Sequence, residues 1–358
     1  MRQCGSDHQA SRAMMQQPLS YCVECKLNRH EYIEYHRQGA LLFGIYFFFL
    51  TRVPHLLGLS PAEADDYLYG YVPQEWIAIM FVTLFGVSTS EYRLFPSFNN
   101  RQLTSPVVHI GQATYYRLWW LLPTAAACGI GEIIGWSGRL WSSISPTLDQ
   151  PYLVQISTTV LSPTPLLAAN FIILSRIVQE LGTMYSLLTP QWYTAVFLPC
   201  DLIALVIQAI GGGLASAAGD LTAANRGAHI ALGGIVFQFV VIIVFSTLGV
   251  NFYTRYLHDR PVRVDVVNRT PRGVFTMRLK IMLCALACSN TLLFIRSVYR
   301  IIELSTGWSG RIIQTEVYFN VLDGGMVVLA IYVMNIAHPG FLLQQRAAAK
   351  GEKLGADP

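Results

Sequence analysis

Gly131–Arg139 reads GEIIGWSGR, and Ile302–Arg311 nearly repeats it as IELSTGWSGR. Each copy closes a long apolar run, and each carries a glutamate, Glu132 or Glu303, a few residues before the shared GWSGR. In a bilayer an acidic side chain at the end of a span is costly, so its presence marks a functional group. The recurrence also suggests an internal repeat, a construction common among transporters. These two segments point to a helical membrane protein with polar chemistry at the ends of its spans.

The rest of the chain agrees with that reading. It has 358 residues, of which 53% are hydrophobic and 13% charged, well below the roughly 25% charged residues of soluble domains. Seven apolar stretches meet or approach the ~20 residues that a bilayer core requires. They are predicted at 74–92, 116–136, 152–176, 193–214, 228–250, 277–300 and 317–337. The expected fold is an all-α bundle of seven transmembrane helices. Residues 1–73 form an N-terminal segment, 74–337 the membrane domain and 338–358 a tail.

Lys and Arg placement sets the orientation. The connection between spans five and six holds Arg255, Arg260, Arg263, Arg269, Arg272, Arg278 and Lys280. Arg346, Lys350 and Lys353 follow span seven, Arg93, Arg101 and Arg117 lie between spans one and two, and Arg176 ends span three. The opposite side holds Arg139, Arg226, Arg300 and Arg311. The N-terminus is therefore expected outside and the C-terminus in the cytoplasm, with both GWSGR segments on the outer face. The sequon Asn268-Arg-Thr270 falls in the basic cytoplasmic loop and is expected to carry no glycan.

The N-terminal segment is less informative. Gly39–Leu50 (GALLFGIYFFFL) is short for a span and resembles a signal-peptide core, although it begins far from Met1. Cys22-x2-Cys25 with His30 and His36 imitates zinc spacing, but without a compact tetrad no metal is expected. No pair of cysteines sits in two exposed loops, so no stapling disulfide is expected.

Polar residues inside the spans are the candidate machinery. They are Glu132, Gln155, Asn170, Asp201, Gln208, Gln238, Asn290, Arg296, Arg300, Glu303, Glu316 and Asp323. Arg296, Arg300 and Glu303 fall at i, i+4 and i+7 and share one helix face, as do Glu132, Gly135, Trp136 and Arg139. An unpaired charge at this depth costs several kcal/mol. Glu132, Glu303, Asp201 and Asp323 are therefore expected to pair with Arg296, Arg300 or Arg139. Such pairs can also be purely structural. Pro163 and Pro165 are expected to kink or break span three, and Gly211-Gly-Gly213 permits close helix approach. Trp119, Trp120, Trp136, Trp192 and Trp308 are read first as interface anchors.

The chain has no Walker A sequence, no G-x-S-x-G and no H-E-x-x-H, so no ATP drive, no enzyme chemistry and no cofactor are expected. No nucleic-acid-binding module is present.

The order of motifs resembles the fungal RTA-like family of lipid-translocating exporters, named for resistance to aminocholesterol. The resemblance rests on Tyr69-Gly-Tyr71-Val-Pro73, Glu132–Arg139, Gln155…Asn170…Arg176, Asp201…Gln208…Gly213, Gly233-Gly234…Gln238, Arg296–Glu303, Glu316, Asp323 and His338-Pro339-Gly340. It covers roughly residues 69–340. It implies seven spans, an outside N-terminus, and movement of sphingoid long-chain bases, sterol-like toxins or porphyrins. One departure is the polar segment 91–108, which reads as a retained intron; a transcript running through it would disprove that. Residues 1–38 read as a mis-set start.

The function expected on these grounds is translocation of an amphipathic lipid, such as a sphingoid base, across the plasma membrane. Membrane lipids are its surroundings and the amphipathic lipid its substrate. Glu132 or Glu303 would receive the amine, with Arg139, Gln155, Asn170, Asp201, Gln208, Arg296, Arg300, Glu316 and Asp323 lining the path. The alternative is a seven-span receptor or lipid-stress sensor.

Overall fold

Helices form wherever the sequence stays apolar for several turns, and they begin or end at residues that punctuate the backbone. The structure, a computed structural model, describes residues 71–89, 119–262, 272–306, 310–339 and Leu342. Helix α1 is Glu75–Thr89. Helix α2 is Ala127–Ile144, entered through a 3₁₀ turn at Trp119–Leu121 and a π turn at Leu122–Ala126. Then come α3 Asp149–Leu181, α4 Pro190–Ser216, α5 Leu221–Leu257, α6 Met277–Ser305 and α7 Glu316–Ile336. A π turn at Asn320–Gly325 interrupts α7.

Local chemistry explains the boundaries. Pro190 opens α4, where its missing N–H is no loss. Asp220 caps α5 by accepting from the Ala223 N–H, and Thr276 caps α6 by accepting from the Leu279 N–H. Gly182 ends α3 with a φ of 119°, a backbone conformation that favours glycine.

Among the described residues there are no strands. Helices α3 to α7 are each long and apolar enough to cross a membrane, and α1 is a shorter apolar helix. Several run past their expected limits. Helix α2 continues to Ile144 and α5 spans 221–257. Arg139 consequently lies inside a helix rather than beyond its end, as Glu132 and Trp136 do.

Helix α3 is the centre of the bundle. Every residue from Pro163 to Ser175 is buried, and α3 packs against α2, α4, α5 and α6. Around it, chain neighbours pack in sequence and α7 returns to α1. The ring is closed by the Tyr332 hydroxyl donating to the Leu84 carbonyl at 3.1 Å, and by the Asn335 amide donating to the Ser88 carbonyl at 3.1 Å. The α4–α5 crossing is the tightest. A Cβ on Gly211 would stand 2.2 Å from the Ala231 nitrogen, and one on Gly227 would stand 2.3 Å from the Ala215 nitrogen. Small residues four apart on both helices thus let the backbones touch, as membrane packing favours.

Two of the tryptophans expected as interface anchors belong to the core instead. Trp136 is 0% exposed and stacks on Phe81 with centroids 3.9 Å apart. Trp120 is buried under the Arg176 guanidinium at 5.0 Å. Their rings are covered because neighbouring helices offer aromatic and cationic faces at that depth. Trp192 is exposed, as an anchor would be. The zinc-like Cys/His set, Gly39–Leu50, segment 91–108, the sequon and Gly307–Ser309 of the second GWSGR lie outside the described residues.

Candidate functional site

Five charged side chains from three helices meet in the core. Arg296, Arg300 and Glu303 come from one face of α6, Asp323 from α7 and Glu132 from α2. All are buried. Arg300 holds Asp323 with two parallel bonds, Nε to Oδ1 at 2.9 Å and Nη2 to Oδ2 at 2.8 Å. Its Nη1 donates to Glu303 Oε2 at 2.8 Å, and Glu303 Oε1 accepts from the Tyr299 hydroxyl at 2.8 Å. Arg296 Nε sits 2.8 Å from Asp323 Oδ1. Asp323 is thus shared by two guanidiniums.

The α3 backbone takes part because of a proline. In a regular helix the Thr159 carbonyl would accept from the N–H of residue 163. Pro163 has none, so the carbonyl is free and accepts from Arg296 Nη2 at 2.7 Å. The Thr159 hydroxyl accepts from Arg300 Nη2 at 3.4 Å. The expected break in α3 is a gap in hydrogen bonding at Pro163, while Ser162 before it keeps helical angles of φ −56° and ψ −39° and donates to the Thr158 carbonyl at 2.8 Å. The π turn of α7 contains Asp323 itself; such turns recur at functional sites because they re-aim a side chain. Gly324 next to it makes room for Trp136, whose Cζ2 lies 2.4 Å from where a Cβ would be.

Glu132 departs from the expected pairing. It is 0% exposed, and among the described residues neither carboxylate oxygen has a hydrogen-bond partner or forms an ion pair. It stands in the field of Asp323, Arg296 and Arg300, with the Trp136 indole N–H one turn away but outside hydrogen-bond geometry. Arg300 donates to Asp323, Glu303 and Thr159, and Arg296 reaches Asp323 and the Thr159 carbonyl. Asp201 also lacks an ionic partner. It accepts from the Gln238 amide at 2.5 Å in a separate cluster, because no basic residue of α3 or α5 projects to that depth.

Arg139 pairs with Glu316, at 3.2 Å, rather than with any of the four carboxylates expected. The reason is position: Arg139 lies nearly two turns beyond Glu132 on α2, level with the start of α7. The same Nη2 donates to the Tyr71 hydroxyl at 2.9 Å, and Glu316 also accepts from the Gln74 backbone at 3.0 Å. Burial pushes the Tyr71 phenol above its ordinary range, and the Arg139 guanidinium pulls it partly back. This knot and the deeper centre share one ring. Phe319 lies 4.7 Å from the Arg139 guanidinium and 5.2 Å from that of Arg300.

The remaining candidates are elsewhere. The Asn170 amide reaches the Ser289 hydroxyl at 3.4 Å, joining α3 to α6. Gln155 is buried one turn before Thr159, whose hydroxyl donates to its carbonyl at 2.9 Å. Gln208 joins the Asp201 cluster through Gln238 at 3.1 Å. The two GWSGR glutamates are not equivalent, since Glu303 is ion-paired and Glu132 is not. The arginines differ too: Arg139 is buried and Arg311 exposed. Thr159, Tyr299, Phe319 and Tyr71 were missing from the expected site. Tyr299 stands between the two arginines in sequence, and Pro163, four residues after Thr159, was the available signal for its carbonyl.

An all-helical membrane protein with a buried ionic centre is the class that this fold and site define. The chain belongs to the RTA1-like family: residues 125–346 match the family described as RTA1 like protein. It is an integral membrane protein. It is 27% identical to the sphingoid long-chain base transporter RSB1 of Saccharomyces cerevisiae over 268 residues, 68% of this chain and 70% of that one. It is 27% identical to protein RTA1 of the same yeast over 281 residues, 76% of this chain and 84% of that one. It is 25% identical to that yeast's protoporphyrin uptake protein 1 over 299 residues, 78% of this chain and 94% of that one. No solved structure matches the chain.

Proposed function

We propose that the protein moves a cationic amphiphile of the sphingoid long-chain base type across the plasma membrane, with Glu132 receiving its ammonium group. The single observation that carries this is a charge count. Arg296 and Arg300 supply two positive charges against the three carboxylates of Asp323, Glu303 and Glu132, so one negative charge remains. It falls on Glu132, the member of the centre with no partner. A buried carboxylate in that position is met best by a cation from outside. An anionic substrate would find both arginines already neutralised. The match to a yeast long-chain base transporter supports the same reading.

The arrangement in the membrane completes the proposal. All seven helices span, the N-terminus is outside, and the Arg139–Glu316 knot faces the outer leaflet. The basic connection between α5 and α6 is cytoplasmic. Protein in liposomes should move labelled phytosphingosine between leaflets, and Glu132→Gln should abolish this at equal protein. Unchanged movement by that variant would refute the role of Glu132. A wild-type protein that moves no base would favour a sensor. A glycan on Asn268 would overturn the orientation.

A further inference from the structure

Asp201 lies on α4, 0% exposed and outside every ion pair described above. Its Oδ1 accepts from Gln238 Nε2 at 2.5 Å, and its Oδ2 has no partner among the described residues. Gln238 on α5 is itself held. Its Nε2 also reaches Thr164 Oγ1 on α3 at 3.3 Å, and its Oε1 accepts from Gln208 Nε2 at 3.1 Å. All three neighbours are neutral.

No charged or titratable side chain of the packed helices faces Asp201. Asp149 and Tyr152 belong to the first turn of α3 and Arg176 and Glu180 to its last turns, Tyr193 to the first turn of α4, Arg226 and His229 to the start of α5, and Tyr253, Arg255 and Tyr256 to its end. Cys200 is its chain neighbour and projects in another direction around α4. The arginine centre does not act on it either. A bare carboxylate among neutral amides at membrane depth costs several kcal/mol. That cost disappears when a positive charge enters.

We propose that Asp201, with Gln238, Gln208 and Thr164, binds one small inorganic cation, separate from the amine site at Glu132, and that this cation couples to transport. The coupling clause rests on the transport reading above; the site itself does not. The hydrogen bonds favour a proton over sodium. Gln238 presents an N–H to Asp201, and a proton on Oδ2 leaves that bond intact. Sodium wants oxygen ligands and would require the Gln238 amide to turn, which breaks the bond from Gln208. Loading forms an Oδ2–H bond with a proton taken from water on one side. Release breaks it toward water on the other, with no change in electron count.

Infrared spectroscopy of the full-length protein, with and without sodium chloride, tests the site. A proton gives a carboxylic C=O band that is lost in Asp201→Asn, kept in Asp201→Glu and unmoved by sodium. A sodium ion gives carboxylate bands that shift with the salt and are lost in Asp201→Asn. Gln238→Leu leaves the aspartate in place and should shift whichever band is present. Spectra identical in wild type and Asp201→Asn, or a band that Gln238→Leu leaves unmoved, overturn the site. In liposomes, a gradient of the bound cation should drive accumulation of labelled base by wild type and not by Asp201→Asn. Base movement by wild type that ignores both gradients overturns the coupling. If wild type moves no base, the transport reading fails and the spectroscopic result still decides the site.

Discussion

Arg300 grips Asp323 from 23 positions away in sequence, with both carboxylate oxygens engaged at 2.9 and 2.8 Å and both side chains almost wholly buried. This bidentate pair ties α6 to α7 and is the anchor around which the other charges are arranged. Bidentate guanidinium–carboxylate contacts are the strongest and most directional of ion pairs.

Removing one partner leaves an arginine uncompensated, which costs about 3–5 kcal/mol for a buried pair. Asp323→Asn should therefore lower the unfolding temperature of the purified protein sharply. Glu316→Gln, at the less buried knot with an 11% exposed side chain, should lower it less. Equal effects would place the anchor elsewhere.

Glu132 and Glu303 should separate in the same assay. Glu132→Gln breaks no described bond and should leave the unfolding temperature unchanged or raised, while growth on added phytosphingosine fails. Glu303→Gln loses the Arg300 pair and should cost stability as well as resistance.

Pro163→Ala returns an N–H that can bond the Thr159 carbonyl and compete with Arg296. A proline inside a helix costs about 3 kcal/mol, whereas a hydrogen bond from a charged donor contributes about 1.5–3 kcal/mol. The variant should thus be at least as stable as wild type yet slower in base translocation. An unchanged rate would show that the freed carbonyl has no role in transport.

At the α4–α5 crossing, Gly211→Ala drives a methyl into the backbone of α5. The cost should reach or exceed the roughly 1–3 kcal/mol of ordinary overpacking, seen as a lower unfolding temperature. Gly233→Ala meets nothing within 4 Å and serves as the neutral control.

Outside the membrane-spanning helices, Tyr185 donates to Asp259, which also pairs with Arg272 at 3.3 Å. Burial first, and then the bond to Asp259, hold the phenol above its ordinary value of 10.0. With the folded value raised, the contribution of the neutral phenol is complete below pH 10.0 and is lost as pH climbs through the folded value. Unfolding temperature should fall more steeply at alkaline pH in wild type than in Tyr185→Phe.

Sequence by itself determined where the long helices lie, because length and hydropathy are properties of a single segment. It also determined that Arg296, Arg300 and Glu303 share a face, since helical periodicity is local. It marked Pro163 as a place where a backbone bond is missing. Tertiary structure decided who meets whom. The π turn at Asn320–Gly325 sets how Asp323 faces the two arginines. The length of α2 carries Arg139 to Glu316 rather than to the deeper carboxylates. Packing buries Trp136 in the core and leaves Glu132 without a partner. Such pairings depend on the rotation and depth of one helix against another. The same apolar surfaces can pack in many registers, and only the assembled bundle selects among them.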